Sequence, residues 1–303
     1  MDFVQLAPGV GSEGLSVALG TFDGVHIGHR RIIAAAKNQS TVQGTDTAVL
    51  IFSSSPHGAG CILPLRDRLA EFKALGVNLA VVCDFAELKN QSPEDFFDEI
   101  LVDTLDAKAV FAGYNYHFGA GAAGDTALLC RLSAACGIVC GITPCIEIDG
   151  APISSSRIRA LLEAGDVAEA NRLLGYTYYL RGEVLHGKRL GRTLGMPTVN
   201  QTFGAGCVIP ARGVYYTETE IDGVRFPSVS NVGVRPTVSS DGAVDLETHI
   251  LDYDGDLYGK TVTVRFAARG RAETKFESAE ALRDVVMGDI AAARAYFAKE
   301  GRQ

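Results

Sequence analysis

Near residue 175 the hydrophobic rhythm of this 303-residue chain changes once, and the change dictates its architecture. Before it, short apolar and β-branched runs, "SVALG" (16–20), "TAVLIF" (47–52), "LAVVCDF" (79–85) and "AVFAG" (109–113), alternate with stretches of helical spacing. Runs without polar alternation suit strands buried on both faces, and strands separated by helices pair in parallel. Residues 1–175 are therefore expected to form an α/β domain, a parallel sheet with crossover helices. From residue 176 the pattern turns to period two in "YYLRGEVLHG", "GVYYTETEIDG", "DLETHILDYDG" and "KTVTVRF", with Asp-Gly turn signals between the runs. Residues 176–303 are thus expected to form a small antiparallel β-barrel. The end, "SAEALRDVVMGDIAAARAYFAKE", offers Ser278 as an N-cap and Leu282, Val285, Val286 and Ile290 as one helical stripe, so a terminal helix should pack on the barrel. No flexible linker or internal repeat separates the halves, which are expected to abut.

Charge narrows the partners. A net charge of −8 and a pI near 5.3 leave no global positive field to hold DNA or RNA, so no nucleic-acid partner is expected. The start, "MDFVQLAPGVGSEGL", lacks a basic segment followed by an apolar core. No stretch reaches the ~18 uninterrupted apolar residues of a membrane span, so a cytoplasmic protein without membrane association is expected. Seven cysteines, an odd number without a CxxC pair, fit a reducing compartment. Cys130, Cys136, Cys140 and Cys145 crowd together, but in no familiar zinc spacing, and are expected to pack in the core.

"GTFDGVHIGH" (20–29) falls at the first strand-to-helix turn, where open α/β sheets bind ligands beyond the carboxyl ends of their strands. Gly20, Gly24 and Gly28 would let backbone approach a phosphate, and the next helix would direct free N–H groups at it. His26 and His29 could donate hydrogen bonds to phosphoryl oxygens as charge builds. A lone histidine in such a place more often caps a loop or fills the core. "ISSSRIRALLEAGD" (153–166) sets three serines, then Arg157 and Arg159, at a helix start, an anion site suited to a triphosphate, although a serine cap with two solvated arginines reads the same.

In the second half, "GEVLHGKRLGRTLGMPTVN" (182–200) joins Gly-rich turns to a strand on which Thr198 and Asn200, two apart, share a face. Two neutral oxygen donors can help seat a hard cation that also holds ATP phosphates. An isolated P-T-x-N is usually a turn. Glu247, in the alternating "DLETHILD", could equally face solvent.

Together these motifs resemble the bifunctional bacterial riboflavin kinase/FAD synthetases. "QSPEDFFDEIL" (91–101), "AGYNYHFGAGAAGD" (112–125) and "GDVAEANRLLG" (165–175) are similar to the first half's intervening segments. "GVYY" (213–216), "SNVGVRPTV" (230–238), "LETHILDYDGDLYG" (246–259) and "RAETKF" (271–276) follow in the order of riboflavin kinases. The resemblance implies a Rossmann-like nucleotidyltransferase domain over 1–175 and a riboflavin-kinase-type barrel over 176–303. It further implies ATP as co-substrate, Mg²⁺, and FMN and FAD as product and substrate. Gly20, Phe22, Asp23, Gly24, His26, Gly28, His29, Ser155, Ser156, Arg157 and Arg159 would contact ATP phosphates for adenylylation, His26 and His29 catalytically; Asn115 and Phe118 would line the flavin or nucleotide pocket. For the kinase, Gly187, Lys188, Gly191, Gly195, Pro197, Thr198 and Asn200 would bind ATP, Thr198 and Asn200 also the Mg²⁺, Glu247 would be the general base and Arg271 would flank the flavin.

The chain departs from the family pattern at "FSSSPHGAG" (52–60), in place of a compact F-x-P-H-P turn, at Asn115 in place of an aspartate, at Val199 in place of an alanine, and at Gly270. Alternatives are a kinase with an impaired adenylyltransferase site, a non-catalytic flavin- or nucleotide-binding regulator, and a nucleotidyltransferase for a phosphopantetheine-like substrate, against which the second-half motifs stand. A homo-oligomer is compatible with each.

Overall fold

Continuous apolar runs become the inner strands of a parallel sheet. The computed structural model describes residues 1–7, 10, 14–53, 60–186, 196–234, 244–274, 277–299 and 301. The chain divides into two units, Met1–Ser155 and Ser156–Gln303. In the first, β1 (Asp2–Gln5), β2 (Leu15–Leu19), β3 (Asp46–Phe52), β4 (Leu79–Cys83), β5 (Ala107–Gly113) and β6 (Val139–Thr143) stand in the order β1-β4-β3-β2-β5-β6. Every neighbouring pair is parallel.

Alternation sorts the side chains into two cores: Val17 and Leu19 join Leu50, Phe97 and Leu101 on one face, while Ala18 joins Val49, Ile33 and Phe72 on the other. Helices α1 (Ile27–Gln43), α2 (Leu65–Ala74), α3 (Phe85–Leu88), α4 (Pro93–Asp95) with a π-helical continuation over Phe96–Thr104, and α5 (Thr126–Ala135) connect the strands. From β2 the chain steps outward one way to β3 and β4, and from β5 the other way to β6. Strand order therefore reverses between β2 and β5, the switch point at which such sheets bind ligands.

Two edge strands lay outside the expected set. β1 is short and exposed, and β6 contains Gly141, where a Cβ would lie 2.4 Å from the Phe111 ring; a glycine placed for close packing interrupts the apolar run that marks a strand. The cysteines also differ from expectation. Cys136 is exposed, while Cys130, Cys140 and Cys145 are only half buried, because α5 and β6 form the margin of the sheet; the Cys130 and Cys140 sulfurs approach to 3.0 Å.

After a short hairpin of β7 (Glu147–Ile148) and β8 (Ala151–Pro152), α6 (Ser155–Ala164) leads into the second unit, followed by α7 (Val167–Leu174). Strands β9 (Tyr179–Glu183), β10 (Val199–Thr202), β11 (Gly213–Ile221), β12 (Val224–Val234), β13 (Val244–Ile250) and β14 (Thr261–Ala272) form an antiparallel sheet ordered β10-β13-β12-β11-β14-β9. Its two edges converge where the Leu185 N–H donates to the Asn200 carbonyl at 2.8 Å and the Gln201 amide donates to the Gly182 carbonyl at 2.8 Å, so the barrel is nearly closed. Asp222 (φ 50°) and Gly223 (φ 82°) make the tight two-residue turn between β11 and β12 that Asp-Gly signals.

Hydroxyls fill part of the interior: Thr217 and Ser230 meet at 2.8 Å, Ser230 and Thr248 at 2.7 Å. The terminal helix α8 (Ala279–Lys299) starts with the Ala281 N–H donating to the Ser278 hydroxyl at 3.1 Å. Val286, Ile290 and Ala293 pack on Val214 and Val229, but Val285 is exposed. At about 100° per residue Val285 lies well off the stripe that successive four-residue steps from Leu282 trace.

Candidate active sites

The first site grows from β2. Its backbone leaves the sheet at Gly20 and passes through left-handed Phe22 (φ 49°), Gly24 (φ 74°) and Val25 (φ 39°) before α1 begins. Left-handed backbone is uncommon for non-glycine residues, and for β-branched valine an outlier, of the kind that clusters at functional sites. The glycines serve the turn itself. A Cβ on Gly24 would lie 2.9 Å from Ile62, and one on Gly28 would lie 3.1 Å from the His26 ring. Asp23 is likewise committed to structure, since its Oδ1 accepts the Ile62 N–H at 2.8 Å and its carbonyl accepts the Ser155 hydroxyl at 2.9 Å. Through these bonds Asp23 anchors the turn.

His26 caps α1: its Nδ1 accepts the His29 N–H at 3.3 Å. The two rings stack with centroids 3.5 Å apart, and buried Phe22 packs edge-on to His29. Burial pushes the His26 imidazole down to about 4 and holds His29 well below its ordinary value, with the nearby His26 and Arg68 acting in the same direction. Both rings are therefore neutral at pH 7. Because Nδ1 of His26 is an acceptor, its proton resides on Nε2, which is left as a donor. His29 Nδ1 is buried and makes no hydrogen bond to the described residues. Sequence reasoning missed Arg68, buried on α2, whose guanidinium donates to the carbonyls of Thr21 and Phe52 at 3.0 and 3.1 Å; an arginine on an amphipathic helix reads as a solvated face.

The other residues expected here divide. Asn115 is exposed just beyond the end of β5, whereas Phe118 is buried against Phe96 and Tyr116 within the core. Its ring fits only because Gly124 lacks a Cβ. In the second unit, Arg159 donates to the Ser156 hydroxyl at 3.1 Å, and Arg157 pairs with Glu169 at 3.3 Å. Glu169 also binds Arg172, so Arg157 belongs to a surface ion-pair network in this state.

The second site is a row across the outer face of the barrel. Residues directly opposite in antiparallel strands project from the same face. Asn200 opposes Glu247, Glu247 opposes Asn231, Asn231 opposes Val214, and Val214 opposes Arg271. At one end the Arg271 guanidinium grips Asp289 of α8 at 3.0 and 2.8 Å, and α8 covers Val214. At the other, Glu247 is exposed and flanked by the amides of Asn200 and Asn231.

His249 Nδ1 lies 2.9 Å from the Pro197 carbonyl, to which it must donate, and so fastens the segment before Thr198 to the strand of Glu247. Asn231 and His249 lie within the family-like segments 230–238 and 246–259, but nothing in those patterns assigns either a role. Half-buried Thr198 and buried Asn200 present neutral oxygens, a donor chemistry that suits a hard cation already held by phosphates. Gly187, Lys188, Gly191 and Gly195 lie outside the described residues, as do residues 54–59 of the altered turn.

Residues 11–157 match the family model for FAD synthetase and residues 174–297 that for riboflavin kinase. The Pseudomonas fluorescens bifunctional riboflavin kinase/FMN adenylyltransferase is 38% identical over 293 residues, covering 94% of both chains. The Listeria monocytogenes protein of the same name is 33% identical over 292 residues, covering 93% of this chain and 92% of that one. Among solved structures, a Streptococcus pneumoniae protein described as a macrolide-efflux protein matches with a TM-score of 0.87 and 30% identity over 96% of this chain and 98% of its own. Among the described residues no helix is long and apolar enough to cross a membrane.

Proposed function

The chain belongs to the bifunctional riboflavin kinase/FMN adenylyltransferase family, and on that premise we propose that it phosphorylates riboflavin with ATP to give FMN, then transfers the adenylyl group of a second ATP to FMN, giving FAD and pyrophosphate. One observation carries the reading: the two centres fall in the two family spans, the histidine turn within 11–157 and Glu247 within 174–297. We assign adenylylation to residues 1–175 and phosphorylation to residues 176–303.

In the kinase, the Glu247 carboxylate accepts the proton of the riboflavin 5′-hydroxyl as that oxygen attacks the γ-phosphorus of ATP, and ADP leaves. The exposure of Glu247 beside two amides supports this role, and a positioned base contributes about 10²–10⁴ in rate. Thr198 and Asn200 would hold Mg²⁺; the chemistry a bound cation supplies is neutralisation of phosphate charge. Pro197 with Gly187, Lys188, Gly191 and Gly195 would seat ATP, and Arg271, fixed by Asp289, would flank the flavin.

In the adenylyltransferase, an FMN phosphate oxygen attacks the α-phosphorus of ATP and pyrophosphate leaves. No base is needed, because the nucleophile is already an anion. The work is positioning and stabilisation of charge on the phosphoryl oxygens, supplied by neutral N–H donors on His26 and His29 and by the free N–H groups at the start of α1. Ser155, Ser156, Arg157 and Arg159 are assigned to the triphosphate from their sequence pattern, and Asn115 to the nucleotide or flavin. Arg157 must then exchange Glu169 for phosphate.

A cytoplasmic location is part of this proposal, supported by seven free cysteines. The net negative charge speaks against a nucleic-acid partner. The test is to supply FMN, ATP and Mg²⁺, then riboflavin, ATP and Mg²⁺, to the same preparation. FAD with equimolar pyrophosphate, and FMN with ADP, are expected. Tight flavin binding without turnover would instead establish a regulator.

A further inference from the structure

Arg68 is 6% exposed, although removing a full positive charge from water is costly. An apolar side chain there would dock α2 on the sheet at less cost, so the charge has another use. One N–H of its guanidinium reaches the Thr21 carbonyl at 3.0 Å and another the Phe52 carbonyl at 3.1 Å. Thr21 follows β2 and Phe52 ends β3, adjacent parallel strands. One planar group thus ties two strand ends together at the carboxyl edge of the sheet. The backbone enters the left-handed residues Phe22, Gly24 and Val25 immediately beyond Thr21. Left-handed states at non-glycine positions persist only where their surroundings hold them in place.

We propose that Arg68 is a positioning residue for adenylyl transfer, fixing the strand ends so that the strained turn presents His26 and His29 in a single geometry. The inference rests on the reading of this turn as the adenylylating centre and deepens it. A guanidinium fork suits the task because it meets two carbonyls in one plane, which a lysine ammonium at the end of a flexible stem does not reproduce.

The experiment uses Arg68→Lys and Arg68→Gln in the full chain. Each variant is assayed for FMN adenylylation, with kcat and the KM for ATP determined separately, and for riboflavin phosphorylation as internal reference. Expected is a fall in adenylylation kcat of about 10- to 100-fold in both variants, the range in which small misplacements act, with the KM for ATP little changed and phosphorylation intact. Unchanged kcat overturns the proposal. So does a raised KM at constant kcat, which would mark a plain nucleotide contact.

If the glutamine variant loses both activities, the lysine variant decides: selective loss supports the proposal, and equal loss or none overturns it. An unaltered chain that makes no FAD would overturn the adenylylation reading instead. The imidazole nitrogen resonances of His26 then still test the inference. Loss of the Nδ1 acceptor signature in Arg68→Lys supports it, and an unchanged spectrum overturns it.

Discussion

His26 serves the fold and, in the proposed reaction, the chemistry as well. Its Nδ1 caps α1, and burial that lowers its basicity keeps the ring neutral, with Nε2–H left as a donor. The same burial couples stability to pH. The unfolded imidazole titrates near 6.5 and the folded one near 4, so between those values the unfolded chain binds more protons. Stability from this group is complete above pH 6.5 and declines as pH falls toward 4, by about 3 kcal/mol in all; His29 acts in the same sense. Urea unfolding at pH 7, 5.5 and 4 should show this decline, and His26→Asn, which retains a cap acceptor, should flatten it. An identical slope in the variant would refute the assignment. The two histidines were legible from residue type and spacing. The structural roles of Asp23 and Arg68 were not, because a motif names residues without saying which backbone groups a carboxylate or a guanidinium meets.

At the scale of elements, the turn between β2 and α1 depends on Gly24. Its φ of 74° and the 2.9 Å from an added Cβ to Ile62 together oppose any side chain. Gly24→Ala should cost about 1–3 kcal/mol, the range for backbone forced into a sparsely populated region, read as a lower thermal midpoint. FAD formation should fall with it while riboflavin phosphorylation remains, and an unaltered midpoint would contradict this account of the turn. Strands with clean periodicity were readable: β2 to β5 from unbroken apolar runs, β11 and β13 from alternation. β6 was hidden by Gly141 and β1 by its brevity, and on α8 the stripe omits Val285 because a four-residue repeat, not every apolar position, tracks the buried face.

For the whole molecule, the change of rhythm near residue 175 was enough to anticipate a parallel sheet followed by an antiparallel barrel, because strands of a helix-covered parallel sheet bury both faces and antiparallel strands commonly bury one. What periodicity could not supply is pairing across long sequence separations. Only the register of β10, β13, β12, β11 and β14 brings Asn200, Glu247, Asn231, Val214 and Arg271 into one row, and only the strand order sets the histidine turn at the switch point. The proposed function requires that one chain carry two chemically independent centres. An equimolar mixture of Glu247→Gln and His29→Ala chains, given riboflavin, ATP and Mg²⁺ with the flavins separated over time, decides whether they are independent. Alone, the first variant should leave riboflavin unconverted and the second should stop at FMN, whereas the mixture should produce FAD. A mixture that halts at FMN or earlier would contradict the claim.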